Sequence, residues 1–181
     1  MRPALAALAV LILMLPGCSG AKENPQNQPT PSKAAKLGVS SPAFADNTQI
    51  PVEYSCKGRN VPPPLRWDNV PTGAQSLALV VDDPDAPSGL YIHWVVTGIP
   101  TATTELGPLP PGASVSLNSA GKPEYFGPCP PAGSGVHHYR FQLYALNKPL
   151  ALAPTTPAPE ATKAIADAAS AQGTTVGLFS G

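Results

Sequence analysis

The sequence predicts an all-β, or at least β-dominated, fold, and three observations lead to that prediction. The 181 residues include 25 prolines and 16 glycines, and proline disfavours long helices because it removes a backbone donor and clashes with the preceding turn. Several short runs are rich in β-branched and aromatic residues and are bounded by proline or glycine turns. One stretch near the carboxyl end has a helical pattern. We therefore expect strands and turns with one or two short helices near the C-terminus.

The first 17 residues have the pattern of an export signal, with a basic start at Arg2 and an apolar run over 4–15. The run is too short for a helix that crosses a bilayer core about 30 Å thick. Residues 15–18, Leu-Pro-Gly-Cys, resemble a bacterial lipobox, in which the sulfur of Cys18 receives a diacylglycerol. A simple secretory signal and an uncleaved N-terminal anchor are the alternatives.

Residues 18–36 are polar, rich in proline and free of aromatic side chains. Such a segment cannot bury enough apolar surface to offset the entropy of ordering, so we expect a flexible tether. The folded domain is then predicted to span 37–181 and to be held by its lipid on the extracytoplasmic face of the cell membrane. We expect no nucleic-acid partner, because Lys and Arg number 11 against 11 Asp and Glu and form no basic stripe.

With Cys18 acylated, Cys56 and Cys129 remain as an even pair in an exported domain, where oxidation is permitted. We predict a disulfide between them, which would stabilise the fold by about 4 kcal/mol in the chain-entropy account. Two buried free thiols are the alternative. Metal ligation is less favoured, since neither cysteine belongs to a C-x-x-C pair.

The strands follow in chain order from their residue patterns. Residues 76–83 and 91–98 are apolar, β-branched and aromatic, and a proline- and glycine-rich turn separates them. Residues 137–146 alternate with a period of two, which places His137, Tyr139, Phe141, Leu143 and Ala145 on one face. Weaker strand candidates occur at 65–70 and 174–180. The helix is predicted at 157–171, with Ala161, Ile165 and Ala168 on one face.

Polar residues gather at the ends of these strands. Asp83 ends the apolar row of the first strand, and Pro84 and Pro87 stiffen the turn that follows. His93 lies among apolar neighbours in the second strand. Each feature also has an ordinary structural explanation, since Asp-Pro-Asp is common in turns and a lone strand histidine is often a satisfied core residue.

The spacing of these residues does not indicate a known type of catalytic site. Ser134 is not part of a G-x-S-x-G motif, and no H-x-x-x-H or H-x-E spacing indicates zinc. Adjacent His137 and His138 must point to opposite faces of a strand, and we expect His138 at the surface. Asp83 and Asp85 would likewise point apart, which argues against a paired acid and base. We therefore expect no enzyme, cofactor or metal.

Three blocks of the sequence together resemble the phosphatidylethanolamine-binding protein family, in its bacterial Raf-kinase-inhibitor-like form. They read LALVVDDPDAP (77–87), YIHWVVTGIP (91–100) and GPCPPAGSGVHHYRFQLYAL (127–146). The region upstream, 51–79, also resembles the opening of that family. The resemblance covers about residues 38–181 and departs from the family's pattern before the third block.

The resemblance implies a β-sandwich of mainly antiparallel sheets with a small pocket for phosphate, phosphorylated head groups or similar anions. Carried over to this sequence, the pocket would be lined by Asp83, Pro87, Tyr91, His93, Pro130, His137 and Tyr139. Imidazole and phenol groups can donate to anion oxygens, whereas Asp83 alone would repel an anion. The hypothesis therefore needs at least one histidine to donate.

These observations predict a membrane-tethered, exported binding protein for a small anionic or phosphorylated ligand. Two other functions stay open. Some family members inhibit serine proteases, so a protease is an alternative partner. A hydrolase built on His93, His137 and Asp83 is the third function and has the least support from residue spacing.

Overall fold

The computed structural model describes residues 36–181, which form two β-sheets and one α-helix. The predicted signal peptide, Cys18 and nearly all of the tether lie outside the described residues. The strands are β1 (Gly38–Ser40), β2 (Thr48–Gln49), β3 (Leu65–Asp68), β4 (Ser76–Asp83), β5 (Tyr91–Ile99), β6 (Glu105–Leu106), β7 (Ser114–Val115), β8 (Val136–Leu146) and β9 (Ala169–Ser180), and the helix α1 spans Ala158–Ala168. The predicted β-dominated class is confirmed. None of the helices in this part of the chain has the length and apolar character needed to cross a membrane.

The larger sheet has six strands in the order β2-β9-β8-β4-β5-β7, and the smaller has three in the order β1-β3-β6. Neighbouring strands are antiparallel in every described pair except β2 with β9. Long strands β4, β5 and β8 form the middle of the larger sheet. Residues at the ends of these strands can therefore meet although they are far apart in sequence.

Strand β4 is buried along its whole length because both faces of the sheet are covered there. All eight of its residues are buried. Leu77 and Leu79 belong to a core cluster with Leu65 and Trp67 of the smaller sheet, whereas Val80 packs in a second cluster with α1. Full burial of one such aliphatic side chain contributes about 1.5–3 kcal/mol. The site thus begins at the end of a strand held on both faces.

The predicted helix at 157–171 is correct in place and wrong at its end. Helix α1 stops at Ala168, and residues 169–171 already belong to β9. The amide of Asn147 donates to the carbonyl of Ala168 at 2.9 Å, and Ala171 lies opposite Ala145 of β8. Pairing with β8 therefore overrides the helix propensity of this alanine-rich segment. The prediction for β4, 76–83, agrees with the structure at both ends.

The predicted disulfide between Cys56 and Cys129 is confirmed. Their Cα atoms are 5.4 Å apart, and 73 positions separate them in sequence. The amide of Cys56 also donates to the carbonyl of Pro128 at 3.1 Å. The bond therefore joins the loop after the short 3-10 helix (Val52–Tyr54) to the segment that precedes β8.

Candidate functional site

A cavity of about 100 Å³ lies where strand β4 ends and strands β5 and β8 begin. Asp83, the last residue of β4, is paired with Tyr91, the first residue of β5. On the other side Asp82 lies opposite Arg140 of β8, which brings the preceding part of β8 beside Asp83. The cavity is lined by Asp83, Ala86, Tyr91, His93, Phe126, Cys129, Pro130, Pro131, His137 and Tyr139.

Six of the seven residues predicted from the resemblance line this cavity, and Pro87 does not. Pro87 is exposed, because the turn after β4 carries it outward and leaves Ala86 against the cavity. Four further lining residues were not predicted as such: Ala86, Phe126, Cys129 and Pro131. The last three lie within four positions of Pro130, in a stretch where the family's pattern is only loosely present.

Asp83 is 3% exposed, and both of its carboxylate oxygens are hydrogen-bonded. Oδ2 accepts from Nδ1–H of His137 at 2.7 Å, and Oδ1 accepts from the backbone N–H of Asp85 at 2.8 Å. The second contact is local turn chemistry, as an Asp-Pro-Asp sequence favours. The carboxylate therefore fixes the tautomer and orientation of His137.

His137 is 2% exposed, and both of its ring nitrogens have partners within the protein. Nδ1 faces Asp83, and Nε2 lies 2.9 Å from Oγ of Ser134. His137 thus lines the cavity with its ring rather than with a free nitrogen. The sequence did not predict the serine partner, because a serine three residues before a histidine does not match the G-x-S-x-G motif.

His93 is 4% exposed, and its Nδ1–H donates to the carbonyl of Phe126 at 2.6 Å. Its ring stacks on that of Phe126 with an interplanar angle of 3° and meets the ring of Tyr139 edge-on with centroids 5.2 Å apart. Burial lowers the pKa of His93, partly offset by the Phe126 carbonyl. At neutral pH, Nε2 is therefore an unprotonated acceptor available to a ligand.

Tyr139 has a buried hydroxyl that can donate a hydrogen bond, whereas Nε2 of His93 can accept one. Its side chain is 1% exposed, and its hydroxyl makes no well-formed hydrogen bond among the residues described, although the Asp83 carboxylate and the backbone N–H of Cys129 lie near it. Burial and the nearby Asp83 carboxylate raise the pKa of Tyr139 well above its usual range, so the hydroxyl stays protonated. An unpaired buried hydroxyl costs about 1–3 kcal/mol.

Two nearby carboxylates, Asp82 of β4 and Asp85 of the turn that follows, form hydrogen bonds outside the cavity. Asp82 accepts from Nε and Nη2 of Arg140 at 2.7 and 2.8 Å and from Nε2 of Gln142 at 2.8 Å. Asp85 accepts from the backbone N–H and Nδ1 of His138 at 2.8 and 2.7 Å. These hydrogen bonds from His138 hold the pKa of Asp85 below its usual range. His138 is exposed, as the sequence predicts.

The two histidines that line the cavity do not belong to a candidate metal centre in the part of the chain that the structure describes. No group of three or more His, Cys, Asp or Glu residues within 36–181 could hold a metal ion. His93 directs Nδ1 at a carbonyl oxygen, and both ring nitrogens of His137 face protein oxygens. The cavity instead combines a donor, the hydroxyl of Tyr139, with an acceptor, Nε2 of His93, among aromatic side chains.

Comparison with known proteins places the chain in a family. The model of the family "Phosphatidylethanolamine-binding protein" matches residues 40–180. The chain belongs to this family. The resemblance of the three sequence blocks is thereby confirmed, and so is the fold that it implies.

This family member is similar to a named lipoprotein and, in fold, to two proteins of known structure. "Putative lipoprotein LppC" of Mycobacterium tuberculosis is 49% identical over 99% of this chain and 96% of its own length. YbcL of E. coli, described as a member of the mammalian PEBP family, is 28% identical with a TM-score of 0.77, covering 81% of this chain and 99% of YbcL. A carboxypeptidase Y inhibitor solved with its cognate proteinase is 19% identical with a TM-score of 0.51, over 81% and 83%.

Proposed function

We propose that this protein is an exported, membrane-tethered binding protein whose cavity holds a small anionic or phosphorylated group without chemical turnover. The observation that carries this proposal is the hydroxyl of Tyr139, a buried donor that makes no well-formed hydrogen bond among the described residues and belongs to a side chain that lines the cavity. Buried polar groups in folded proteins are nearly always paired. An oxygen atom of a bound ligand would pair this one.

The size of the cavity restricts the ligand. Its volume of about 100 Å³ corresponds to roughly three water molecules, taking about 30 Å³ for each. Pockets for drug-sized ligands are larger, about 300–1,000 Å³. A phosphate, a carboxylate or the phosphorylated end of a larger molecule fits this volume, with the remainder of the molecule outside.

The protonation states of Tyr139 and His93 restrict the choice of ligand further. Tyr139 offers a hydrogen to a ligand oxygen, whereas the neutral imidazole of His93 offers a lone pair at Nε2. A phosphate monoester that retains one proton matches both groups, since its P–O⁻ accepts and its P–OH donates. The complex then contains one proton between Nε2 and the ligand, so affinity rises as pH falls.

The experiment compares phosphate and phosphoethanolamine with sulfate by isothermal titration calorimetry between pH 5 and 8. Sulfate has the same shape and brings no proton in this range. We expect both phosphates to bind, more tightly at lower pH, and sulfate to bind more weakly at every pH. His93→Gln should abolish the pH dependence, whereas the matched variant His138→Gln, at an exposed histidine outside the cavity, should behave as wild type. Equal, negligible heats for wild type and His93→Gln would remove the proposal.

The tether is proposed from the sequence of residues 15–36 together with the relative named as a lipoprotein. Acylation of Cys18 would hold the domain at the extracytoplasmic face of the cell membrane, stably when two or more chains are present. In a cell fractionation, wild-type protein should sediment with membranes and Cys18→Ala should not. Membrane partitioning of Cys18→Ala equal to wild type would contradict lipidation.

Serine protease inhibition is the alternative that the family resemblance implies. The likeness to the carboxypeptidase Y inhibitor supports a shared fold and nothing finer. The assay adds excess protein to trypsin and to chymotrypsin. Unchanged hydrolysis rates would remove this alternative for those two proteases.

A further inference from the structure

A series of three polar side chains leads from the surface of the protein to the buried carboxylate. Oγ of Ser134 lies 2.9 Å from Nε2 of His137, and Nδ1 of the same ring lies 2.7 Å from Oδ2 of Asp83. A nucleophile within 2.6–3.2 Å of a base, with the base oriented by a third group, is the arrangement that activates serine hydroxyls. This series is distinct from the His93 and Tyr139 groups that face the proposed ligand.

The local turn explains how a surface serine reaches a buried histidine. The backbone N–H of Ser134 donates to the carbonyl of Pro131 at 3.1 Å. Gly133 and Gly135 on either side have φ of 79° and 89°, values that side chains rarely tolerate. This tight turn brings the Ser134 side chain back onto His137 while leaving the residue exposed. Reagents in solution can therefore reach its hydroxyl.

The hydroxyl of Ser134 has one proton and two acceptors in reach. Pro131 O is 2.8 Å from Oγ, and His137 Nε2 is 2.9 Å from it. The hydrogen on Nδ1 of His137 is donated to Asp83, so in the neutral form of the ring the lone pair is on Nε2. When the hydroxyl proton turns from Pro131 to Nε2, the ring is placed to remove that proton as Oγ attacks.

We propose that Ser134 is a nucleophilic site that takes an acyl group from a carboxylic ester, with His137 as base and Asp83 as the residue that positions it. The bond from Ser134 Oγ to the carbonyl carbon forms, and the bond from that carbon to the leaving alcohol breaks. The hydroxyl proton passes to His137 Nε2 and then to the leaving oxygen. One ester and one serine thus give one acyl-serine and one alcohol.

The reacting atom, Oγ of Ser134, is separate from the cavity of the proposed ligand, although Asp83 and His137 also line that cavity. Ser134 is not among the residues that line the cavity, and the ligand groups there are not consumed. The proposal requires one acylation per chain and no turnover. Failure of either proposal is therefore visible independently, since calorimetry with phosphate reports the cavity and covalent labelling reports Ser134.

The test treats the purified protein with p-nitrophenyl acetate and, separately, with a fluorophosphonate, in which Oγ attacks phosphorus and fluoride leaves. Peptide mass spectrometry locates the adduct, and the release of p-nitrophenol gives the rate. We expect one adduct per chain at Ser134 and none there in Ser134→Ala. General-base assistance typically contributes 10²–10⁴-fold, so Asp83→Asn should slow labelling about 100-fold. The fold of each variant is checked by its urea unfolding midpoint.

Ser40→Ala is the matched control, since Ser40 is an exposed serine at the end of β1 in the smaller sheet, and it should label at the wild-type rate. Absence of an adduct at Ser134 with both reagents would overturn the proposal. Label spread over several serines, or an unchanged labelling rate in Ser134→Ala, would do the same. Labelling of folded Asp83→Asn at the wild-type rate would overturn the positioning role of Asp83.

Discussion

At the scale of single residues, Tyr139 should affect binding and stability in opposite directions. Tyr139→Phe removes a buried hydroxyl that makes no well-formed hydrogen bond among the described residues, and it leaves the packing of the ring in place. We expect phosphate affinity to fall about tenfold, equivalent to the roughly 1.4 kcal/mol of one ligand hydrogen bond. We expect the free energy of unfolding of the ligand-free protein to stay equal or to rise by up to about 1 kcal/mol. Calorimetry and urea unfolding measure the two quantities.

Tyr125 provides the control for this prediction. Its hydroxyl is also buried, but it donates to the carbonyl of Tyr54 at 2.9 Å. Tyr125→Phe should therefore lower the free energy of unfolding by about 1 kcal/mol and leave phosphate affinity unchanged. Equal effects of the two substitutions on affinity would show that the Tyr139 hydroxyl is not a ligand donor.

His93 makes stability depend on pH with a definite sign. Burial lowers its pKa in the folded protein, while the unfolded chain titrates near 6.5. The unfolded state therefore binds the proton first, so stability is fully present above about pH 6.5 and is lost as pH falls from there towards the folded pKa. The urea midpoint of wild type should fall more between pH 7.5 and 5 than that of His93→Gln. Parallel pH curves for the two proteins would contradict this account.

Single residues also show where prediction from sequence stops. The period of two along β8 assigned His137 and Tyr139 to the buried face correctly, because alternation is a local property. The partners of His137 could not be read in the same way. Asp83 is 54 positions away, and Ser134 depends on a turn that no motif describes. Pro87, which was expected in the cavity lining, lies outside it because adjacent residues of a turn point in different directions.

At the scale of elements, the pairing of β4 with β8 carries a semi-buried ion pair. Arg140 binds Asp82 through two hydrogen bonds, and the Asp82 side chain is 4% exposed against 37% for Arg140. Arg140→Met would leave a buried carboxylate with Gln142 as its remaining side-chain donor. Losing one partner of a buried pair costs about 3–5 kcal/mol, and the exposure of Arg140 reduces our expectation to about 2 kcal/mol.

The double variant Asp82→Leu/Arg140→Met tests the cause of that loss. Replacing both charges by apolar groups should recover most of the stability, because no unpaired charge remains buried. Lys163→Met is the control, since the pair of Lys163 and Asp167 on α1 is exposed and should contribute less than about 0.5 kcal/mol. A double variant as unstable as Arg140→Met would show that packing, not charge, explains the loss.

The elements themselves were predictable to different degrees for a physical reason. Strands β4 and β5 have continuous apolar and β-branched patterns, and their predicted bounds agree closely with the structure. Residues 169–171 are alanine and serine, which favour a helix locally and become a strand because β8 offers them hydrogen-bonding partners. Long-range pairing of this kind leaves no trace in local propensity.

At the scale of the whole molecule, the cavity depends on a segment that comes from outside the central strands. Residues 126–131 contribute one wall, and four different contacts hold them in place. Phe126 pairs with His93, Gly127 N–H donates to Oδ1 of Asn60 at 2.8 Å, and the disulfide fixes Cys129. The fourth contact is the hydrogen bond from the backbone N–H of Cys56 to the carbonyl of Pro128. The wall is thus fixed by more contacts than the disulfide alone.

This redundancy predicts different effects on stability and on binding when the disulfide is removed. Cys56→Ser/Cys129→Ser frees a loop closed across 73 positions of sequence, which should lower the free energy of unfolding by about 4 kcal/mol, chiefly through the entropy of the unfolded chain. Phosphate affinity of the folded fraction should change less than about threefold, since the remaining contacts still hold the wall. Urea unfolding with and without reductant, and calorimetry under native conditions, measure the two effects. Loss of binding in a variant that is still folded would show instead that the disulfide itself shapes the cavity.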